Sequence, residues 1–195
     1  MAASLQALAC ATLLLVVPHA CMAASNKTTL QDSCESYAGG DRSSFDYDYC
    51  VWTLQRADKE GAATADALGL ATIAARFARA TASATRAKIA ALLRNETLPR
   101  TRRDSLAACA SEYAAAVRRL GHAVSAARSS GGKNLQRAQT LLAEATGAPA
   151  RCQAAFAAAR QDSPLADGDF GLDDQIELAI AILPLPRPSP PAGRM

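Results

Sequence analysis

Apolar side chains recur at alternating steps of three and four through most of this chain. Between Asp104 and Arg128 they fall at Leu106, Cys109, Tyr113, Ala116, Leu120, Ala123 and Ala127. Between Leu135 and Arg160 they fall at Leu135, Ala138, Leu142, Ala145, Pro149, Cys152, Phe156 and Ala159. An earlier segment, Ala65–Arg94, carries Leu70, Ile73, Phe77, Ile89 and Leu92, and a last one carries Leu172, Ile176, Ala179 and Leu183. This spacing gives each helix one apolar stripe, with Arg and Gln on the opposite side. Stops stand at Pro99, at the SSGGK run Ser129–Lys133 and at DSPLADGD, Asp162–Asp169. Four amphipathic helices with polar connections predict an all-α fold, an antiparallel up-down-up-down four-helix bundle over residues 64–183. Gly147 and Pro149 interrupt the third helix. An interior proline costs about 3 kcal/mol in a helix, so a kink or short break is predicted there.

Outside the bundle the pattern changes. Residues 25–63 hold Cys34, the turn pair Gly39-Gly40, and FDYDYCVW at Phe45–Trp52, which has four of the rings of an aromatic-poor chain. They predict an N-terminal helical hairpin. It has no core of its own, so large rings anchor it, Asp46 and Asp48 stay in water, and one or two rings are left as a contact surface. The tail over 184–195, PLPRPSPPAGRM, is too rich in proline for a helix and predicts a disordered or polyproline-like end. At the other end, residues 1–24 have no charged side chain and an apolar run from Leu5 to Val17. That run is shorter than the roughly 20 residues of a membrane-spanning helix, and small residues follow it at Ala23 and Ala24, which suits a secretory signal peptide. A buried N-terminal helix is the alternative.

Secretion changes the meaning of the cysteines. Beyond Cys10 and Cys21 the chain keeps Cys34, Cys50, Cys109 and Cys152, an even number for an oxidising compartment. None has CxxC spacing, and outside the leader only His122 could join them at a metal, so disulfides are favoured over metal or thiol chemistry. Four cysteines allow three pairings, and the sequence alone does not choose. Pairing each with its nearer partner would close the hairpin through Cys34–Cys50 and crosslink the bundle through Cys109–Cys152. Sequons at Asn26 and Asn95 would be glycosylated if exposed during secretion.

Net charge is only +3, but it is unevenly placed. From Arg76 to Arg137 there are thirteen Lys or Arg against three Asp or Glu, whereas the flanking segments are acidic. A basic middle could steer the protein toward an acidic cleft or an acidic polysaccharide, or it could simply solvate the outer helix faces. Nucleic acid is disfavoured by the secretory signal and by the lack of interleaved aromatics. Catalysis is disfavoured too: outside the leader the chain offers one histidine, four disulfide candidates, no phosphate-binding glycine loop, and carboxylates gathered on turns and termini. Asp173, Asp174 and Glu177 suit the N-terminal dipole of the last helix. No cofactor and no metal is expected.

A two-cysteine hairpin followed by a bundle with two more cysteines resembles the plant invertase and pectin methylesterase inhibitor family. The resemblance spans roughly Thr29 to Leu183. It is carried by DYDYCVWTLQRAD (Asp46–Asp58), ADALGLATIA (Ala65–Ala74), SLAACASEYAAAVRRL (Ser105–Leu120), and the spacing from RCQAAF to IELAIAIL. Its hairpin is most similar to those of invertase inhibitors of the pollen-allergen type. The resemblance implies disulfides from first to second and from third to fourth cysteine, Cys34–Cys50 and Cys109–Cys152. It also implies a secreted inhibitor, not an enzyme, that blocks the substrate cleft of pectin methylesterase or invertase in a one-to-one complex. Invertase inhibitors of the family carry Pro-Lys-Phe between the second and third bundle helices. Here that loop reads SGGKN, so only Lys133 matches and stands as a target-binding candidate. A monomer in the plant apoplast, with no nucleic-acid or membrane partner after signal cleavage, completes the expectation. Alternatives are a non-inhibitory secreted bundle and a binder of acidic pectin.

Overall fold

The computed structural model describes residues 28–94, 97–129, 132–165 and 171–184. The leader expected over 1–24, Asn26, Asn95 and the tail beyond Pro184 lie outside these residues. Eight helices are described: α1 Thr29–Tyr37, α2 Phe45–Ala57, α3 Lys59–Thr64, α4 Ala67–Leu93, α5 Arg100–Arg128, α6 Gly132–Ala145, α7 Ala148–Ala158 and α8 Leu172–Ile182. Among the described residues none is long and apolar enough to cross a membrane.

Side chains set the helix starts. Thr28 and Gln31 form a reciprocal capping box for α1, and the Ser44 hydroxyl accepts from the Tyr47 N–H to open α2. Asp58 and Asp66 repeat one device, an aspartate whose carboxylate accepts from the N–H of a glycine three residues on. The two bonds are 2.9 Å to Gly61 and 2.7 Å to Gly69. A Cβ on Gly61 would lie 2.5 Å from the Asp58 carboxylate, so the cap needs the bare backbone there. Asp66 opens a helix of 27 residues. Asp66→Ala is expected to lower stability by about 1 kcal/mol. A urea midpoint unchanged from wild type would show that the cap contributes nothing.

The bundle consists of α4, α5, the α6–α7 pair and α8. α4 packs on α5 and α8, α5 on α6 and α7, and α6 on α8. Directions follow from residue pairs. Along α5, Ser105 meets Ala155, Cys109 meets Cys152, Glu112 meets Arg151, and Arg119 meets Glu144. One number rises as the other falls, so α5 runs antiparallel to α6–α7. Arg103 Nη1 donates to the Leu93 carbonyl, whereas Arg79 lies against Gly121, so α4 and α5 are antiparallel as well.

The sequence stripes supply the core. All seven stripe positions of α5 are buried, as are Ala138, Leu142, Ala145, Pro149, Cys152 and Phe156 of the next pair. Alanines fill much of α4's inner side at Ala71, Ala74, Ala75, Ala78 and Ala82. Their small side chains let helix axes approach, and their propensity favours the helix itself. The break foreseen at Gly147 and Pro149 is present. Gly147 has φ +81°, and Pro149 lies in the first turn of α7, where its missing N–H is harmless. The Gly147 N–H donates 2.9 Å to Asp173 Oδ1, tying the break to the first turn of α8.

Both disulfides adopt the nearer-partner arrangement, Cys34–Cys50 joining α1 to α2 and Cys109–Cys152 joining α5 to α7. The short helix α3 spans the boundary expected at residue 63 and packs on α1, α2 and α4. The rings of FDYDYCVW divide as expected, two of them packing on the core and two left at the surface. Cys50, Thr53 and Leu54 are the buried residues of α2, while Phe45 is 81 % exposed and Trp52 56 %. Tyr47 and Tyr49 alone among the four pack against the core.

Partial burial pushes the Tyr49 phenol up to about 12 from 10.0, a rise to which Asp174, Tyr37 and Glu177 add and which Thr53 opposes. The unfolded chain would lose this proton first, so Tyr49 stabilises the fold fully below pH 10 and less as pH climbs toward about 12. Tyr49→Phe is expected to flatten the alkaline loss of stability across that window. Equal slopes in denaturant titrations of the two proteins would contradict the assignment.

Candidate functional surface

The described residues hold no group of three or more His, Cys, Asp or Glu placed to bind a metal. His122 stands on the exposed side of α5, and the two clefts it lines have no carboxylate among their lining residues to serve a catalytic imidazole. What the fold offers is surface, and three parts of it stand out.

The first is the bundle end where α5 passes into α6. Lys133 occupies the opening turn of α6 and is exposed. The same end carries an open cleft between the start of α4 and the end of α5. Asp66, Leu68, Thr72 and Arg76 line one side and Ala127 and Arg128 the other. α3 contributes Gly61 and Thr64, so the helix that the sequence pattern missed forms part of the rim.

The second lies further along α5. Arg79 of α4 and Arg118, His122 and Ser125 of α5 line a cleft of about 340 Å³. His122 and Ser125 also line a second cleft of about 220 Å³, with Ser129, Asn134 and Arg137. Gly121 also lines the first. The Arg79 guanidinium lies across it, at 3.5 Å from where a Cβ would stand. Neither cleft is lined by an acidic or aromatic residue.

The third is the outer side of α2. Phe45 and Tyr49 are stacked with centroids 6.3 Å apart, and the Arg56 guanidinium lies 5.3 Å above the Trp52 ring. These positions, spaced by four, three and four, form one helical stripe.

The expected site residues therefore separate. The four cysteines are paired and buried, Lys133 is exposed at the bundle end, and the acidic start of α8 does more than complement a dipole, since Asp173 holds Gly147. Arg79, Arg118 and Arg137 were visible only as parts of a basic segment. They lie on three different helices, and packing brings them to one region.

Comparisons with known proteins agree with this architecture. A crystal structure of a pectin methylesterase inhibitor from Arabidopsis thaliana is similar, with a TM-score of 0.56 over 82% of this chain and 97% of that one. At 16% sequence identity the likeness is one of fold. A search of curated proteins returns no match. A profile described as plant invertase/pectin methylesterase inhibitor matches residues 28–182, from the α1 cap through the end of α8. The chain belongs to the plant invertase/pectin methylesterase inhibitor family.

Proposed function

We propose that this protein is a secreted inhibitor that occludes the substrate cleft of a plant pectin methylesterase, acting as a monomer in a one-to-one complex outside the cell. The observation that carries this reading is the family match across the whole helical domain. Inhibition by occlusion needs a rigid surface rather than a reactive group. A bundle locked by two disulfides provides such a surface, since little ordering remains to be done on binding. Pectin methylesterase is preferred over invertase because Lys133 lies between Gly132 and Asn134, without the proline and phenylalanine of the invertase-inhibitor motif.

The bundle end with Lys133 is the contact surface in this reading. An exposed cation at the bundle end can meet a carboxylate of the target as the contact closes out water. Lys133→Glu is expected to weaken inhibition about tenfold, with an unchanged helical circular dichroism spectrum. The oxidised protein is incubated with pectin methylesterase and with invertase side by side at mildly acidic pH. The first activity should fall and the second should not. Loss of invertase activity instead would overturn the choice of target. Two unaffected enzymes would overturn the function.

A further inference from the structure

We infer that the paired clefts on α5, which run to the bundle end that carries Lys133, form a docking site for a linear acidic polysaccharide, a polyuronate. Arg79 and Arg118 stand on one side of the ridge formed by His122 and Ser125, and Arg137 with Asn134 on the other. A chain laid across the ridge would meet cationic donors on both sides and neutral hydroxyl and amide groups between them.

The lining decides the class of ligand. Arginine pairs with carboxylates through a planar fork of donors, and the three arginines here come from three helices with no acidic residue lining either cleft. Ser125, Ser129 and Asn134 can exchange hydrogen bonds with sugar hydroxyls. A protein partner would call for an apolar, ring-rich centre, as interface cores are enriched in aromatics. This surface has none, whereas among the described residues the most exposed rings, Phe45 and Trp52, are on α2. The packing also sets the geometry. The Arg79 guanidinium lies over Gly121 and lines the cleft together with Arg118, both side chains reaching solvent. Arg119, the next residue along, is instead paired with Glu144 at 3.5 Å.

The inference does not depend on inhibition, and its test contains no enzyme. Purified full-length protein is applied to immobilised polygalacturonate, to its fully methyl-esterified form and to poly-glutamate, at stepped salt concentrations. Retention on polygalacturonate should persist to salt at which poly-glutamate no longer holds the protein, and the esterified polymer should not retain it. Arg118→Glu/Arg137→Glu should weaken binding about tenfold or more, whereas Arg86→Glu/Lys88→Glu, an equal charge change on the exposed side of α4, should weaken it about twofold. Circular dichroism of both variants confirms the fold. Equal losses in the two variants, or equal retention on poly-glutamate, would reduce the surface to general charge and overturn the site. Failure of the wild type to bind polygalacturonate would overturn it outright.

Discussion

Cys109→Ala/Cys152→Ala protein is expected to melt about 10 °C below the wild type while keeping its helical signal at 25 °C. The bond spans 43 residues, and closing a loop of that length removes unfolded-state entropy worth about 4 kcal/mol. Cys34–Cys50 spans 16, for which the same argument gives about 3 kcal/mol. The larger bond also joins α5 to α7 inside the core, beyond the break at Gly147. Thermal melts followed at the helical band, with and without reductant, give the comparison. A double variant without helical structure at 25 °C would mean that the alanine-rich core cannot hold the bundle unaided.

Tyr113→Ala is the second large effect, about 3–5 kcal/mol of destabilisation in urea titrations. Tyr113 is fully buried and heads the largest side chains of the core, four residues along α5 from Cys109. Much of the surrounding interior is alanine, which has no rotamer to swing into a vacated space, so the cavity would persist rather than collapse. Tyr113→Phe separates the ring from the hydroxyl. If Tyr113→Ala cost under about 1 kcal/mol, the core would have to be far more adaptable than close packing permits.

These expectations rest on residues whose places the sequence already indicated. The α5 stripe was legible because seven positions hold one period over a long uninterrupted helix, and all seven are buried. The break before α7 was legible because glycine and proline each leave a backbone signature whatever surrounds them. α3 was not, since six residues with Ala62 alone buried give no period to detect; the Asp58-to-Gly61 cap was its available signal. α5 also begins at Arg100 rather than Asp104, because its first turn after Pro99 is polar and belongs to no stripe. That one or two rings would stay exposed was legible, but not that they would be Phe45 and Trp52. Aromatic content says how much area a helix can bury, not which side meets the bundle. The clefts on α5 were least legible of all, since they join residues of three helices far apart in sequence.

Cleft occlusion makes a claim about competition as well as loss of activity. The most direct measurement is the initial rate of pectin methylesterase against increasing concentrations of the oxidised protein, at low and at high pectin. The account predicts complete inhibition, an end point of one inhibitor per enzyme, and relief as pectin is raised. An unchanged rate at excess inhibitor, or a loss of rate that pectin does not relieve, would contradict it.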